Sequence, residues 1–291
     1  MKILVTGGSG FLGSHVADQL SEAGHKVTIY DKKKSPWLKK NQKMIIGNLL
    51  DKLRLEKAIS GVEVVYHFAA IADIDEALIK PIETANTNIF GTILALEVSR
   101  KYKIKRFVHA SSIYVNSKDG GFYRCSKKAA EDYVEEYNKI FNLNYTVLRF
   151  GSLYGERADI NNGVTSIINK AINNNELTYI GSRQTVREYI HVLDAARACV
   201  KILKDKFKNK HIVLTGKKKI KVYDLLKMLA KTLNIKKNIK FLNKKYLGHY
   251  TKSPFSYTPK TGKKYNFKSN INFEKSILTL ALNTKRNKFI K

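Results

Sequence analysis

Two hydrophobic rhythms share the first two hundred positions of the chain. Residues 2–6 form a short apolar run that stops at a glycine cluster. Over 11–23, Leu12, Val16, Leu20 and Ala23 return at helical spacing on one face. Further strand-like runs lie at 26–31, 44–46, 62–67, 104–110 and 145–150, with helical stretches between them. The longest predicted helices cover 82–102 and 123–141. Strands separated by helices of this length imply right-handed crossovers and a parallel sheet covered on both faces. The expected fold class is therefore α/β: a Rossmann-type doubly wound parallel sheet with a smaller C-terminal α/β domain.

Past Phe150 the rhythm loosens. Helices are expected at 164–173, 192–203 and 222–233, the last with Leu225, Leu226 and Leu229 inward, and short strands at 177–180, 186–191 and 211–214. From Asn243 the periodicity is weak, and Pro254 and Pro259 mark loop.

Composition narrows the class. A hydrophobic share of 43% with only 4 prolines in 291 residues excludes wholesale disorder. Two cysteines, Cys125 and Cys199, make neither a disulfide scaffold nor a four-ligand zinc site, so no metal is expected. Cys125 reads as a helix-packing residue, and His67 and His109 as core groups closing buried strands. No apolar run approaches the ~20 residues a membrane helix needs. The first glycine follows too few apolar residues for a signal peptide, so a cytoplasmic protein is expected. The net charge of +30 is uneven: residues 201–291 hold 26 basic and 3 acidic side chains. Such a segment attracts polyanions in principle. Its lysines are scattered through apolar periodicity rather than interleaved with stacking aromatics, which disfavours nucleic acid as a partner.

The first chemistry lies between the first strand and helix, in Thr6-Gly7-Gly8-Ser9-Gly10-Phe11-Leu12-Gly13. Glycines at this spacing allow a tight turn, close approach of backbone to a pyrophosphate, and packing of the helix on the sheet. The helix N-terminus then offers unpaired N–H groups to the phosphates. Asp31 ends the second strand, where a carboxylate binds both ribose hydroxyls and repels a 2′-phosphate. That favours NAD over NADP, with Lys32, Lys33 and Lys34 softening the discrimination. The second cluster is Ser111-Ser112 at the end of the fifth strand, with Tyr123 and Lys127 at i, i+4 on the next helix. A free tyrosine has a pKa of ~10. A neighbouring ammonium and a cationic nicotinamide are expected to draw Tyr123 toward ~7, where it works as a base, at about 4 kcal/mol.

These motifs, with His67-Phe-Ala-Ala70, Asn88-Ile-Phe-Gly-Thr92, Leu148-Arg-Phe-Gly-Ser-Leu-Tyr-Gly155 and Arg187-Glu-Tyr-Ile-His-Val192, stand in one order along the chain. The chain resembles the extended short-chain dehydrogenase/reductase superfamily, in its NAD-dependent nucleotide-sugar epimerase and dehydratase branch. The resemblance runs from Lys2 to about Leu203. It implies Tyr123 as base, Lys127 as its tuner and nicotinamide-ribose ligand, and Ser112 as donor to the reacting oxygen. It also implies a cofactor site of Gly7, Gly10, Phe11, Leu12, Gly13, Asp31, Lys32, Asn48, Leu49, Phe68, Ala69, Ala70, Asn88, Ser111 and Phe150, besides Tyr123 and Lys127. Ser152 and Arg187 are implied at the substrate, Arg187 as the fork that holds a diphosphate; an ion pair with Glu188 or Asp194 is the competing reading.

The departures from the pattern bear on the reaction. Asn48 stands where the family usually has Asp. Ile113 and Tyr114 replace the Asp and Glu that carry out elimination in 4,6-dehydratases, and Ser152 replaces an Asn. The expected activity is thus an NAD-dependent sugar-nucleotide 4-epimerase. Alternatives are a net sugar-nucleotide dehydrogenase or reductase with the same Ser/Tyr/Lys set and, further off, a non-catalytic nucleic-acid-binding member of the fold. The expected domains are 1–150 plus about 187–215 for NAD, and about 151–186 plus 216–291 for the nucleotide sugar. The resemblance also implies a homodimer through the helices at 82–102 and 123–141.

Overall fold

The apolar runs of the first half become strands because both of their faces are covered. In the computed structural model, which describes residues 1–235, 239–242 and 248–251, the chain runs β1 (Lys2–Thr6), α1 (Phe11–Glu22), β2 (Lys26–Asp31), β3 (Lys43–Ile46), α2 (Lys52–Ile59) and β4 (Val64–His67). It continues through α3 (Ile74–Ile79), α4 (Pro81–Ala85), a π turn (Asn86–Phe90), α5 (Gly91–Lys101), β5 (Arg106–Ser112), a 3-10 turn (Ile113–Asn116), α6 (Gly121–Phe141) and β6 (Tyr145–Phe150). The remainder is β7 (Ser152–Tyr154), α7 (Gly163–Asn174), β8 (Leu177–Ile180), β9 (Val186–Arg187), β10 (Tyr189–His191), α8 (Val192–Lys201), β11 (Lys210–Leu214), β12 (Ile220–Lys221), α9 (Val222–Thr232) and β13 (Ile239–Leu242).

Seven parallel strands make the central sheet in the order β11-β6-β5-β4-β1-β2-β3. On one face, Ile3, Val5 and Ile29 pack with Val16 and Leu20 of α1 and Ala196 and Cys199 of α8. On the other, Leu4, Val65 and Phe107 pack with Leu55 and Ile59 of α2, Leu96 of α5 and Val134 of α6. Strand order reverses between β1 and β4, and the crevice beyond the carboxyl ends of such strands is where open α/β sheets bind ligands.

Two predicted elements are interrupted. The helix expected over 82–102 is broken by the π turn, which turns Asn88 inward. Its side chain accepts from the Ile71 amide (2.8 Å) and donates to the Ile71 carbonyl and the Ser126 hydroxyl (2.9 Å each). The strand expected over 186–191 serves two sheets: β9 pairs antiparallel with β12 and β10 pairs parallel with β7. A third core joins Ile167 and Ala171 of α7, Leu177 of β8 and Leu225, Leu226 and Leu229 of α9, beside the β8–β13 pair. The loop expected at Pro254 and Pro259, and most of the lysine-rich stretch 236–245, lie outside the described residues.

Candidate active site

The carboxyl end of β1 feeds straight into the glycine turn. Gly7 has φ +71°, and a Cβ there would lie 2.6 Å from the Ala69 nitrogen; a Cβ on Gly13 would lie 2.2 Å from the Gly7 carbonyl oxygen. Only hydrogen fits at either place, so the turn lies flat against residues 68–70 and delivers α1 to the sheet edge. No side chain caps α1 and no acid occupies its first turn, leaving the N–H groups of Phe11, Leu12 and Gly13 directed at the crevice with the positive end of the helix dipole. This is a cradle for a pyrophosphate. Asp31 is fixed next to it: its carboxylate accepts from the Ser9 amide (3.0 Å) and the Lys33 amide (3.1 Å). Lys32 is exposed beside it.

The Ser, Tyr and Lys side chains converge at the ends of β5 and α6. Ser112, buried, stands beside the Tyr123 phenol, and its Oγ accepts from the Tyr114 amide (3.3 Å). Lys127 is 5% exposed, donates from Nζ to the Ala110 carbonyl (2.9 Å), and lies 6.0 Å from the centre of the Tyr123 ring. Burial pushes Tyr123 up to about 12, only partly opposed by the neighbouring Ser112 hydroxyl. Burial likewise pushes Lys127 down to about 8, with Glu131 opposing. The protein's own pocket thus moves the phenol away from the neutral range, opposite to the tuning expected of Lys127. Bringing it from about 12 to ~7 would take about 7 kcal/mol of positive charge gathered at the phenol.

The other sequence-predicted cofactor residues divide by what their side chains do. Phe68 and Phe150 meet edge to face at 6.4 Å beside the turn, with Ala69 and Ala70 continuing the same wall. Asn88 ties residue 71 to α6 with the bonds already described. Leu49 is buried against Gly91, while Asn48 is exposed, its carbonyl accepting from the Tyr30 hydroxyl (2.7 Å) and its Oδ1 from the Leu50 amide (3.0 Å). Ser111 points the other way, donating to Glu131, which is fully buried and held by Arg149 at 2.6 Å and 3.0 Å. His67 bonds Thr6 (3.0 Å) and Thr92 (3.1 Å), and burial pushes it down to about 3, a neutral core residue.

On the substrate side, Arg187 is buried and pairs with neither candidate carboxylate: Asp194 lies with Arg197 and Glu188 with Lys219. Its Nη1 donates to the carbonyls of Tyr250 (2.7 Å) and Val186 (3.1 Å), its Nη2 to the Tyr179 hydroxyl (3.3 Å), and its plane covers the Tyr250 ring at 4.2 Å. The Ser152 hydroxyl lies close enough to the Tyr250 phenol to draw its pKa down, so one residue neighbours both sequence-predicted substrate positions. A buried guanidinium without a carboxylate, among the described residues, retains donors and a full charge for an anion. Tyr179, His249 and Tyr250 escaped the sequence reading as site residues, and Tyr114 entered it only as a departure from the dehydratase pattern; nothing in the pattern of 243–251 marks His249 or Tyr250. Among the described residues no group of three or more His, Cys, Asp or Glu is placed to hold a metal, and no helix is long and apolar enough to cross a membrane.

A doubly wound sheet with a glycine cradle for a dinucleotide and a Ser/Tyr/Lys set at its edge defines a nicotinamide-dependent α/β enzyme. Comparison with known proteins is narrower. Residues 3–215 match the model of the NAD dependent epimerase/dehydratase family, and the chain belongs to that family, whose cofactor is NAD. A Methanocaldococcus jannaschii protein whose assignment as a UDP-glucose 4-epimerase is provisional is 33% identical over 219 residues, 67% of this chain and 71% of its own length. A dTDP-D-glucose 4,6-dehydratase of Dictyostelium discoideum is 30% identical over 68% of this chain and 54% of its own. In structure, the UDP-glucose 4-epimerase of Thermotoga maritima with UDP-glucose superposes with a TM-score of 0.79 at 29% identity, covering 85% of this chain and 88% of that one.

Proposed function

We propose that the protein is an NAD-dependent sugar-nucleotide 4-epimerase. The observation that carries this reading is the pairing of the Ser112–Tyr123–Lys127 set with a position just past Ser112 that holds no carboxylate. Ile113 is 1% exposed and Tyr114 is half-buried with its phenol pushed up, so neither supplies the acid and base that elimination needs. NAD, when bound, supplies the hydride acceptor and, reduced, the donor for the return. Tyr123 takes the proton of the sugar hydroxyl, Ser112 donates to that oxygen, and Lys127 supplies positive charge and holds the ribose. The glycine turn, the first turn of α1 and Asp31 hold the dinucleotide, with Phe68, Ala69, Ala70 and Phe150 beside it. Arg187 and Ser152 take the substrate diphosphate. Among the described residues, the third core, which draws on α7, β8 and α9, supports a substrate half distinct from the cofactor half.

Large apolar side chains stand exposed along the two helices expected at a dimer interface: Ile82 (72%) and Phe90 (51%) on one, Tyr133 (44%) and Ile140 (61%) on α6. A second copy covering them gives the expected homodimer, and light scattering of the purified protein tests it. The two cysteines are free, which suits a reducing cytoplasm.

The activity test is a panel of UDP-, GDP-, dTDP- and CDP-sugars, read by NMR for product and by absorbance for reduced nicotinamide. Isomerised sugar without net absorbance is the expected result. Stoichiometric reduced cofactor makes the protein a net dehydrogenase, and a dehydrated product returns the dehydratase reading. NAD binding without turnover of any sugar overturns the epimerase and directs attention to the basic C-terminal third.

A further inference from the structure

Residues 248–251 touch four parts of the site at once. The Gly248 carbonyl accepts from the Gly120 amide at the start of α6 (2.7 Å), and a Cβ on Gly248 would lie 2.9 Å from Ile74 of α3. The Val186 amide donates to the Thr251 carbonyl at 3.2 Å. Tyr250, 3% exposed, lies under Arg187 and 4.9 Å from the Tyr114 ring, which meets the Tyr123 ring edge to face at 6.5 Å. His249 stands between Asp75, 3.4 Å from its Nε2, and the Tyr114 hydroxyl, 3.4 Å from its Nδ1.

Chemistry orients this chain of groups. Among the described residues, the charged and titratable neighbours of His249 include Asp75 and Asp73 at the start of α3, Arg187 on β9, and the phenols of Tyr114 and Tyr250. Burial and Arg187 push the imidazole below its usual range, with Asp75 and Asp73 opposing. The ring is therefore neutral at pH 7 and carries one N–H. The Asp75 carboxylate, 3.4 Å from Nε2, favours the proton on that nitrogen and leaves Nδ1 as an acceptor. Tyr114, whose phenol burial keeps protonated, donates to it.

We propose that His249 is a positioning residue for the sugar end of the site: oriented by Asp75, it holds Tyr114 as the wall facing Tyr123 and so sets where the sugar ring lies. This rests on the nucleotide-sugar reading above. Segment 248–251 then carries two duties, Tyr250 seating the guanidinium for the diphosphate and His249 fixing the wall over the base.

Two measurements test it. Long-range proton–nitrogen correlation of the histidine rings at pH 7, on cofactor-free protein, is expected to show His249 protonated at Nε2 and bare at Nδ1, with both shifts moving in Asp75→Asn. A proton on Nδ1 overturns the proposal. Steady-state kinetics with UDP-glucose, or the panel's best substrate where that differs, are the second. Tyr114→Phe and His249→Phe are each expected to raise KM about fivefold with NAD affinity unchanged, the loss of one hydrogen bond. The double variant is expected to be no worse than either single one, because the two act as a unit. His249→Asn, whose Oδ1 falls near Nδ1, is expected to restore part of the affinity, which a mere packing role does not predict. Wild-type turnover with KM unchanged in the variants removes this proposal alone; wild-type protein that turns over no nucleotide sugar removes the functional reading and this proposal with it.

Discussion

The two ends of the crevice are built on opposite principles. At the cofactor end, backbone makes the site: Gly7 and Gly13 leave no room for a Cβ, α1 presents bare N–H groups, and one carboxylate is fixed by two amides. All of it comes from thirty consecutive residues. At the substrate end, side chains make the site. Arg187 on β9 is seated by Tyr250 and Tyr179, Ser152 reaches the same tyrosine, and His249 reaches back to Asp75. A backbone site tolerates no added atom, whereas a side-chain site admits exchange of its parts. On the proposed reading, sterics fix the cofactor while the substrate is open to adjustment.

The harshest test of this contrast falls where the ends meet. Tyr123→Phe is expected to lower kcat about a thousandfold, the usual worth of a positioned acid–base group, while cofactor affinity stays at the wild-type value. Retained turnover removes Tyr123 from the chemistry. At the cofactor end Gly13→Ala is expected to be next in size. Its methyl would sit 2.2 Å from the Gly7 carbonyl oxygen, so the turn must open and NAD affinity falls by about a hundredfold or more. Calorimetric titration with NAD checks it; unchanged affinity would mean the turn yields and the backbone reading is wrong.

The same contrast explains what was legible in the sequence. The sheet, its order of strands and helices, the glycine turn, Asp31 and the Ser/Tyr/Lys set were readable because each rests on periodicity or spacing within a few residues. Ser111 was assigned to the cofactor on resemblance, yet its hydroxyl lies on Glu131: neighbouring strand residues face opposite ways, and Ser112 has the crevice side. The π turn was hidden because its cause, Asn88 bonding residue 71, is a tertiary contact. Strands of two to four residues such as β9, β12 and β13 carry no period to count, and β8 finds β13 some sixty positions later. His249 and Tyr250 lie in a stretch without periodicity, where only folding reveals their neighbours.

Lys127 sharpens the comparison from the side of stability. Its ammonium is buried against one carbonyl, and the fall from the ordinary lysine value of ~10.4 to about 8 is worth roughly 3 kcal/mol against the folded state at pH 7. Between about pH 8 and ~10.4 the unfolded chain holds a proton that the folded one has lost, so this group makes the protein more stable as pH rises. Lys127→Met is expected to stabilise the cofactor-free protein at pH 7 by about 2 kcal/mol, somewhat under the full cost because the Ala110 carbonyl loses its donor, and to abolish turnover. Urea unfolding measures the first and the sugar panel the second. A destabilised variant would mean that the ammonium's bond outweighs its burial.

A smaller expected effect probes the side-chain end. Arg187→Lys keeps the charge and loses the planar fork. Arg187 serves two parties, three protein oxygens from Tyr250, Val186 and Tyr179 and, on the functional reading, a diphosphate. A lysine ammonium has three donors on a flexible stem and cannot serve both in one geometry. KM for the nucleotide sugar is expected to rise about tenfold, close to 1.4 kcal/mol, with NAD affinity unchanged. The melting temperature separates the parties. A raised KM with little change in melting assigns the fork to the substrate. A lowered melting temperature with KM unchanged assigns Arg187 to the tether of residues 248–251 and moves the diphosphate elsewhere along the crevice.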